Sequence, residues 1–317
     1  MRIVVALGGN ALLERGEQPD AAIQHRHIVR AARALAPLCR EHQVIICHGN
    51  GPQVGMLALE SEADAQLSTP YPLDVLVAQT QGMIGYWITQ ELGNAHVGKP
   101  VIALVTQTVV RADDPAFGAP TKFIGAIYHR VEAEQLARTH GWTVRADGAF
   151  FRRVVASPDP VGIVEIDTVR QLINSGSVVV TGGGGGAAVI GEKDGSYRGI
   201  EAIVDKDLTS ELLARELDAD LLLILTDVDA VMRDFGTAQA TPISRLTVAE
   251  LQAMAFPAGS MGPKVQACVR FVLQTGRAAA IGALVDAADI VAGHAGTTVV
   301  PATTGASSAG LVQLGTP

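Results

Sequence analysis

An α/β fold with a mainly parallel central sheet is what this sequence predicts, and three observations lead to it. The residues are 48% hydrophobic but only 4% aromatic. The core must therefore be filled by Ala, Val, Leu and Ile, as in short parallel strands covered by helices. Short apolar runs alternate with stretches of helical period, joined by glycine turns, which is the form of a sheet wound by right-handed crossovers. The same theme returns in the second half, where a helical stretch near 207–217 leads into the apolar run Leu221 to Thr226.

Taken in order, the first strand is Arg2 to Leu7, running straight into Gly8-Gly9-Asn10. Ile28, Ala31, Ala32, Leu35 and Leu38 then recur at helical spacing, with a kink or early end expected at Pro37. A second strand, Val44 to Cys47, ends in His48-Gly49-Asn50-Gly51-Pro52, and helices follow near 53–64 and 74–93. The third strand is Val101 to Val105, continuing towards Val110. From Arg111 to Pro160 the pattern breaks into prolines, charges and short pieces such as Trp142 to Arg145. This stretch reads as an insertion or small protruding subdomain rather than a sheet unit. Order resumes with a helix near 166–174 and a strand Ser177 to Thr181, followed by the glycines 182–186. Further on come a helix about 260–275, strands near Ala278 to Ile281 and Thr297 to Val300, and a small polar tail from Ala302 to which no role is assigned.

Composition excludes several classes. A formal charge of −8 argues against nucleic acid as the main partner. No apolar run reaches the roughly 20 residues of a membrane span, and no signal-peptide pattern opens the chain. Three cysteines, Cys39, Cys47 and Cys268, offer neither an even count nor a CxxC spacing, so a disulfide scaffold and a thiolate zinc site are both unexpected. The expectation is a soluble cytosolic protein.

Three glycine-rich turns each follow an expected strand: Gly8-Gly9-Asn10, Gly49-Asn50-Gly51 and 182–186. Any one of them could be merely a tight turn. Three at the carboxyl edge of one parallel sheet point instead to anion binding, because glycine brings backbone N–H groups close and a following helix adds its dipole. No GxxxxGK[ST] occurs, so the P-loop reading fails. The glycine run does contain GxGxxA with Asp205 about 20 residues on, but Gly191 and Gly195 interrupt what should be a helix, and the dinucleotide reading is rejected.

Only five of the 24 basic residues are lysines: Lys99, Lys122, Lys193, Lys206 and Lys264. Where Arg serves almost everywhere, a retained lysine marks a place where a forked guanidinium does not fit. Lys99 and Lys193 read as solvated loop charges. Lys122 lies in the irregular insertion, while Lys206 and Lys264 each open a helix. A lysine there is mildly disfavoured by the dipole, and makes sense if a polyanion binds. Glycines, lysines and an aspartate suit phosphoryl transfer, which needs positioning and charge neutralisation more than acid–base work. No GxSxG or HExxH competes, and His48 reads as structural.

These segments resemble a known family. Ala6-Leu7-Gly8-Gly9-Asn10-Ala11-Leu12, His48-Gly49-Asn50-Gly51-Pro52-Gln53-Val54-Gly55, Glu201-Ala202-Ile203-Val204-Asp205-Lys206-Asp207 and Gly259-Ser260-Met261-Gly262-Pro263-Lys264 are similar to the carbamate kinases of the amino acid kinase superfamily. Ala6 stands where related kinases generally carry a lysine. The resemblance implies a three-layer αβα sandwich with a protruding subdomain near 111–160, an N-terminal lobe (1–205) for the phosphoryl acceptor and a C-terminal lobe (206–317) for nucleotide. It implies reversible phosphoryl transfer between ATP and carbamate, giving ADP and carbamoyl phosphate with Mg²⁺, in a cytoplasmic homodimer. Gly8, Gly9, Asn10, Gly49, Asn50 and Gly51 would bind the substrate, the backbone amides of Gly8, Gly9, Asn50 and Gly51 holding carbamate and the travelling phosphoryl group. Lys122, Lys206 and Lys264 would neutralise that group, with Asp207 fixing the lysines rather than acting as a base. Asp227, Met261, Lys206 and Lys264 would hold the nucleotide. Metal ligands are unknown, and the pathway stays open among arginine, agmatine and purine breakdown. Two alternatives stay open beside this reading: a kinase for another small acid, and a nucleotide-binding paralogue without turnover.

Overall fold

The computed structural model describes residues 1–9, 12–14, 16–237, 239–256 and 261–302. Its central sheet has eight strands, in the order Arg245–Thr247, Thr297–Val300, Ala278–Ala283, Leu221–Thr226, Arg2–Leu7, Gln43–His48, Val178–Val180 and Val101–Ala103. Every neighbouring pair is parallel except Ala278–Ala283 with Thr297–Val300. Strands from residues 1–205 occupy one half of this sheet and those from 206–302 the other, with Arg2–Leu7 and Leu221–Thr226 paired at the join.

Strand periodicity of two builds the layers. Along the first strand Val4 and Ala6 enter one core, with Leu212 and Leu213 of helix Lys206–Glu216 and Phe271 of helix Met261–Thr275. Ile3, Val5 and Leu7 enter the other, with Ile28 and Leu35 of helix Ala21–Glu41 and Ile84 and Ile88 of helix Leu73–Asn94. A strand apolar on both sides needs helices on both, and the result is the three-layer α/β/α arrangement.

Some elements depart from expectation. Helix Ala21–Glu41 passes Pro37 and continues to Glu41. Leu38 and Cys39, buried beyond the proline, supply the packing that carries the helix across one missing N–H. The third strand does not continue to Val110. It stops at Ala103, and Gln107–Val110 joins a separate four-stranded sheet with Tyr197–Gly199, Ala187–Gly191 and Pro160–Ile163. Lys99 is not a solvated loop charge, because its Nζ donates to the His42 carbonyl at 2.7 Å, beyond the end of the first helix. Residues 122–155 are more ordered than an irregular insertion. Strands Lys122–Tyr128, Thr143–Asp147 and Phe150–Val155 form an antiparallel sheet carrying helix Arg130–His140. That helix buries only Ala133 and packs Leu136 beside it, a face too small to stand out in the sequence.

Candidate active site

A pocket of about 940 Å³ opens beyond the carboxyl ends of Arg2–Leu7, Gln43–His48 and Leu221–Thr226. Gly8, Gly9, Gly49, Asn50 and Gly51 line one side, Lys122 reaches it from the small sheet, and Asp227, Met261 and Lys264 lie on the side of residues 206–302. Asn10, Gly259 and Ser260 fall outside the described residues.

The lysines converge. Asp205 caps helix Lys206–Glu216: its Oδ1 accepts the Asp207 N–H at 2.8 Å, while its Oδ2 accepts a hydrogen bond from Lys122 Nζ. Lys206 is the first residue of that helix, and its Nζ donates to Asp207 Oδ1 at 2.5 Å. Lys264, in the first turn of helix Met261–Thr275, donates to Asp207 Oδ2 at 3.2 Å. One buried carboxylate thus bridges two ammonium groups, and a second carboxylate fixes a third. Three ammonium groups against two carboxylates leave a positive excess beside two helix N-termini, in a chain whose net charge is −8.

Burial and charge oppose each other throughout this cluster. Burial works to raise the Asp205 carboxyl, yet the Lys122 and Lys206 charges hold it well below the ordinary carboxylate range. Burial works to lower Lys206, and Asp207 and Asp205 more than offset it, so its ammonium form is stabilised. Lys264 is lowered, by burial first and then by the neighbouring Lys206 charge. Lys206 is only 8% exposed.

The glycine turns play unequal parts. Gly8 N–H donates to the Leu225 carbonyl at 2.9 Å and Gly49 N–H to that of Leu7 at 3.1 Å. The expectation that the Gly8 amide serves a ligand is therefore corrected: the sheet already uses this donor, as it does that of Gly49. Gly9 and Gly51 face open space, and Gly51 begins helix Gly51–Ala63, whose first-turn amides lack intrahelical partners. A Cβ on Gly49 would stand 3.3 Å from the Gly9 Cα, so the two turns touch.

The five-glycine run is another correction. Four of its members, Gly182, Gly184, Gly185 and Gly186, have positive φ, and only Gly184 lines the pocket. A Cβ on Gly184 would lie 2.1 Å from the Asn50 side chain, and one on Gly186 2.1 Å from Thr108 Oγ1. This run is a buried support for the Asn50 turn rather than a third anion cradle. It leads into strand Ala187–Gly191, not a helix, in keeping with the rejected dinucleotide reading.

Sequence reasoning missed the partner of Lys122. Asp205 stood directly before a helical stretch, the position and residue type of an N-cap, which was the available signal. It also missed the wall formed by Met232, Met254 and Phe256, which have no motif and come from separate segments around hairpin Val231–Arg233 with Thr241–Ile243.

His48 is buried beneath the site, with Nδ1–H donating to the Gly49 carbonyl at 2.9 Å. Burial pushes it down from 6.5 to about 4. A folded state that keeps this imidazole neutral gains stability fully present above pH 6.5 and lost as pH falls towards 4. The expected loss is up to about 3 kcal/mol. Urea midpoints should fall between pH 7 and pH 5, and a His48→Asn variant should show a flatter profile there; an unchanged slope would contradict this account.

Among the described residues no three His, Cys, Asp or Glu side chains cluster as metal ligands, and Asp205 and Asp207 are engaged by lysines. The described residues thus show no carboxylate cage of the kind a hard cation takes. No described helix is long and apolar enough to cross a membrane.

A pocket of ammonium groups and glycine turns at the carboxyl edge of an α/β/α sheet defines a phosphate-handling protein. The amino acid kinase family model matches residues 1–282, and the chain belongs to that family. Its relatives include the carbamate kinases of Rhizobium meliloti, 47% identical over 94% of this chain and 93% of that protein, and Haemophilus influenzae, 48% identical over 97% and 99%. Among solved structures, carbamate kinase from Giardia lamblia bound to citric acid superposes with a TM-score of 0.89 at 36% identity, covering 95% of this chain and 98% of that one. The form bound to AMP-PNP gives 0.85 at 35%, with the same coverage. Within the family, this chain therefore groups with the carbamate kinases.

Proposed function

We propose that the chain catalyses reversible phosphoryl transfer between ATP and carbamate, forming ADP and carbamoyl phosphate. The observation that carries this reading is the meeting of Lys122, Lys206 and Lys264, from three distant segments, around Asp205 and Asp207 in one pocket. Carbamate already bears a negative oxygen, so attack on the γ-phosphorus needs no base. Asp207 is accordingly a clamp for two lysines. The Gly9 and Gly51 turns would hold the acceptor, with Gly8, Gly49 and Asn50 shaping its walls. Lys206 and Lys264 would take up charge on the transferring group, with Lys122 approaching from the small sheet. Preorganised cations around an in-line transfer are the main source of rate in such chemistry.

The nucleotide would lie against Asp227, Met261, Met232, Met254 and Phe256, with Mg²⁺ on its phosphates supplying additional charge neutralisation. The division into an acceptor lobe, 1–205, and a nucleotide lobe, 206–317, follows the two halves of the sheet. A homodimer in the cytoplasm belongs to the same reading, supported by family resemblance, and sedimentation would report a mass of two chains. Purified protein given carbamoyl phosphate, ADP and Mg²⁺ should form ATP in a coupled assay. No ATP would refute the proposal, and faster transfer to another carboxylate or phosphonate would favour a different small-acid kinase.

A further inference from the structure

The small sheet carrying Lys122 is fastened along one helix, Gly51–Ala63, at two places. At the near one, Gly55 lies on Gly125: a Cβ on Gly55 would stand 2.0 Å from the Gly125 Cα. Only a residue without a side chain lets helix and strand approach so closely. At the far one stands Glu62, whose side chain is 13% exposed. Its Oε1 accepts from Trp142 Nε1 at 3.1 Å and from Arg153 Nη1 at 3.3 Å, and His140 Nδ1 lies 3.3 Å from Oε2. The Arg153 guanidinium also covers the Trp142 ring at 4.7 Å from its centre. Leu59, on the same helix, packs against the core of Tyr128, Ala133 and Trp142.

All three groups on Glu62 belong to residues 122–155, whereas Glu62 belongs to the helix that begins at the Asn50 turn. The link to Lys122 is short. Arg153 pairs with Ile124, and Val155, two residues on, pairs with Lys122 itself. Glu62 lies about 16 Å along the helix axis from Gly51, too far to touch a ligand in the pocket.

We propose that Glu62 is a positioning residue for phosphoryl transfer. By gathering Trp142, Arg153 and His140 it sets where the small sheet docks, and so where the Lys122 ammonium stands relative to Asp205 and the pocket. This rests on the reading of Lys122 as a group acting on the transferring phosphoryl. Small displacements of such a group are costly, since a misplacement of about 1 Å can remove about a hundredfold in rate.

The chain has two tryptophans, so Trp87→Phe leaves Trp142 as the sole indole emitter at the clamp. In that full-length background, Glu62→Ala should shift Trp142 emission to the red and increase its quenching by acrylamide. The kcat for ATP formation should fall by about tenfold or more. The KM for ADP should stay within about twofold, because the Met232 and Met254 wall is not carried by the small sheet. Glu62→Gln keeps an acceptor for Trp142 but loses the charge facing Arg153 and His140, and should fall between parent and Glu62→Ala. Red-shifted emission with unchanged kcat would overturn the proposal, as would parallel loss of kcat and ADP affinity. Should Glu62→Ala fail to fold, Glu62→Gln carries the same test, and Trp142→Phe repeats the kinetic part of it in the natural background. A natural-sequence protein that forms no ATP from carbamoyl phosphate and ADP would overturn the reaction reading instead. Activity of the natural sequence thus tells the two failures apart.

Discussion

Asp207→Asn should lower both stability and turnover, and by more than any other single exchange in the pocket. Asp207 is 3% exposed and its two oxygens serve Lys206 and Lys264. Removing its charge leaves two buried ammonium groups facing one another without the carboxylate between them. Breaking a buried ion pair from one side costs about 3–5 kcal/mol. Asparagine keeps one acceptor and presents an N–H₂ to the other lysine, so the shape is preserved and the charge effect is isolated. The pH dependence follows from Lys206. Its folded ammonium is stabilised above the ordinary range, with burial opposing and Asp207 and Asp205 prevailing. That stabilisation is fully present below the unfolded lysine value and disappears as pH rises through the folded one. In Asp207→Asn the main cause of that stabilisation is gone, so the alkaline loss attributable to Lys206 should shrink or vanish. Denaturant titrations at neutral and alkaline pH would measure it, and a variant as stable as the parent, with an unchanged alkaline limb, would defeat the clamp assignment.

Lys206→Ala should reduce kcat by about a hundred- to a thousandfold, the 2.7–4 kcal/mol associated with a lost preorganised donor. The more informative result is Lys206→Arg. Lys206 is buried, and its Cδ lies 3.5 Å from where a Cβ on Gly49 would be. The side chain thus runs beside the glycine turn, and a planar, forked guanidinium cannot present its donors to Asp207 as the compact ammonium does. Little recovery is expected from arginine. Steady-state kinetics of both variants decide the matter: full recovery would mean that only positive charge counts, and that the scarcity of lysine in this chain says nothing about the site.

Much of this site was legible in residue order. The glycine–asparagine turns, the lysines opening helices and the first strand are local patterns, and each pattern depends on neighbours within a few positions. Pro37 and the 182–186 run were less transparent for a physical reason. A proline is a penalty of fixed local size, but the buried faces of Leu38 and Cys39 on the far side outweigh it. A glycine signals freedom to adopt positive φ without saying whether the space gained goes to a ligand or to a neighbouring side chain. In 182–186 it went to Asn50 and Thr108. The Met232, Met254 and Phe256 wall left no trace because apolar residues look alike whether they will line a pocket or fill a core.

Short continuous apolar runs determined, without any coordinates, that strands would be covered on both faces, and the Lys-poor basic set marked which cations were special. Folding alone decided which carboxylate each lysine would meet. Lys122 and Asp205 are 83 positions apart, and Glu62 and Arg153 are 91 apart. Such pairs depend on how a small antiparallel sheet docks on one helix. That docking is set by close backbone approach and desolvated charge, which act through space and carry no period along the chain.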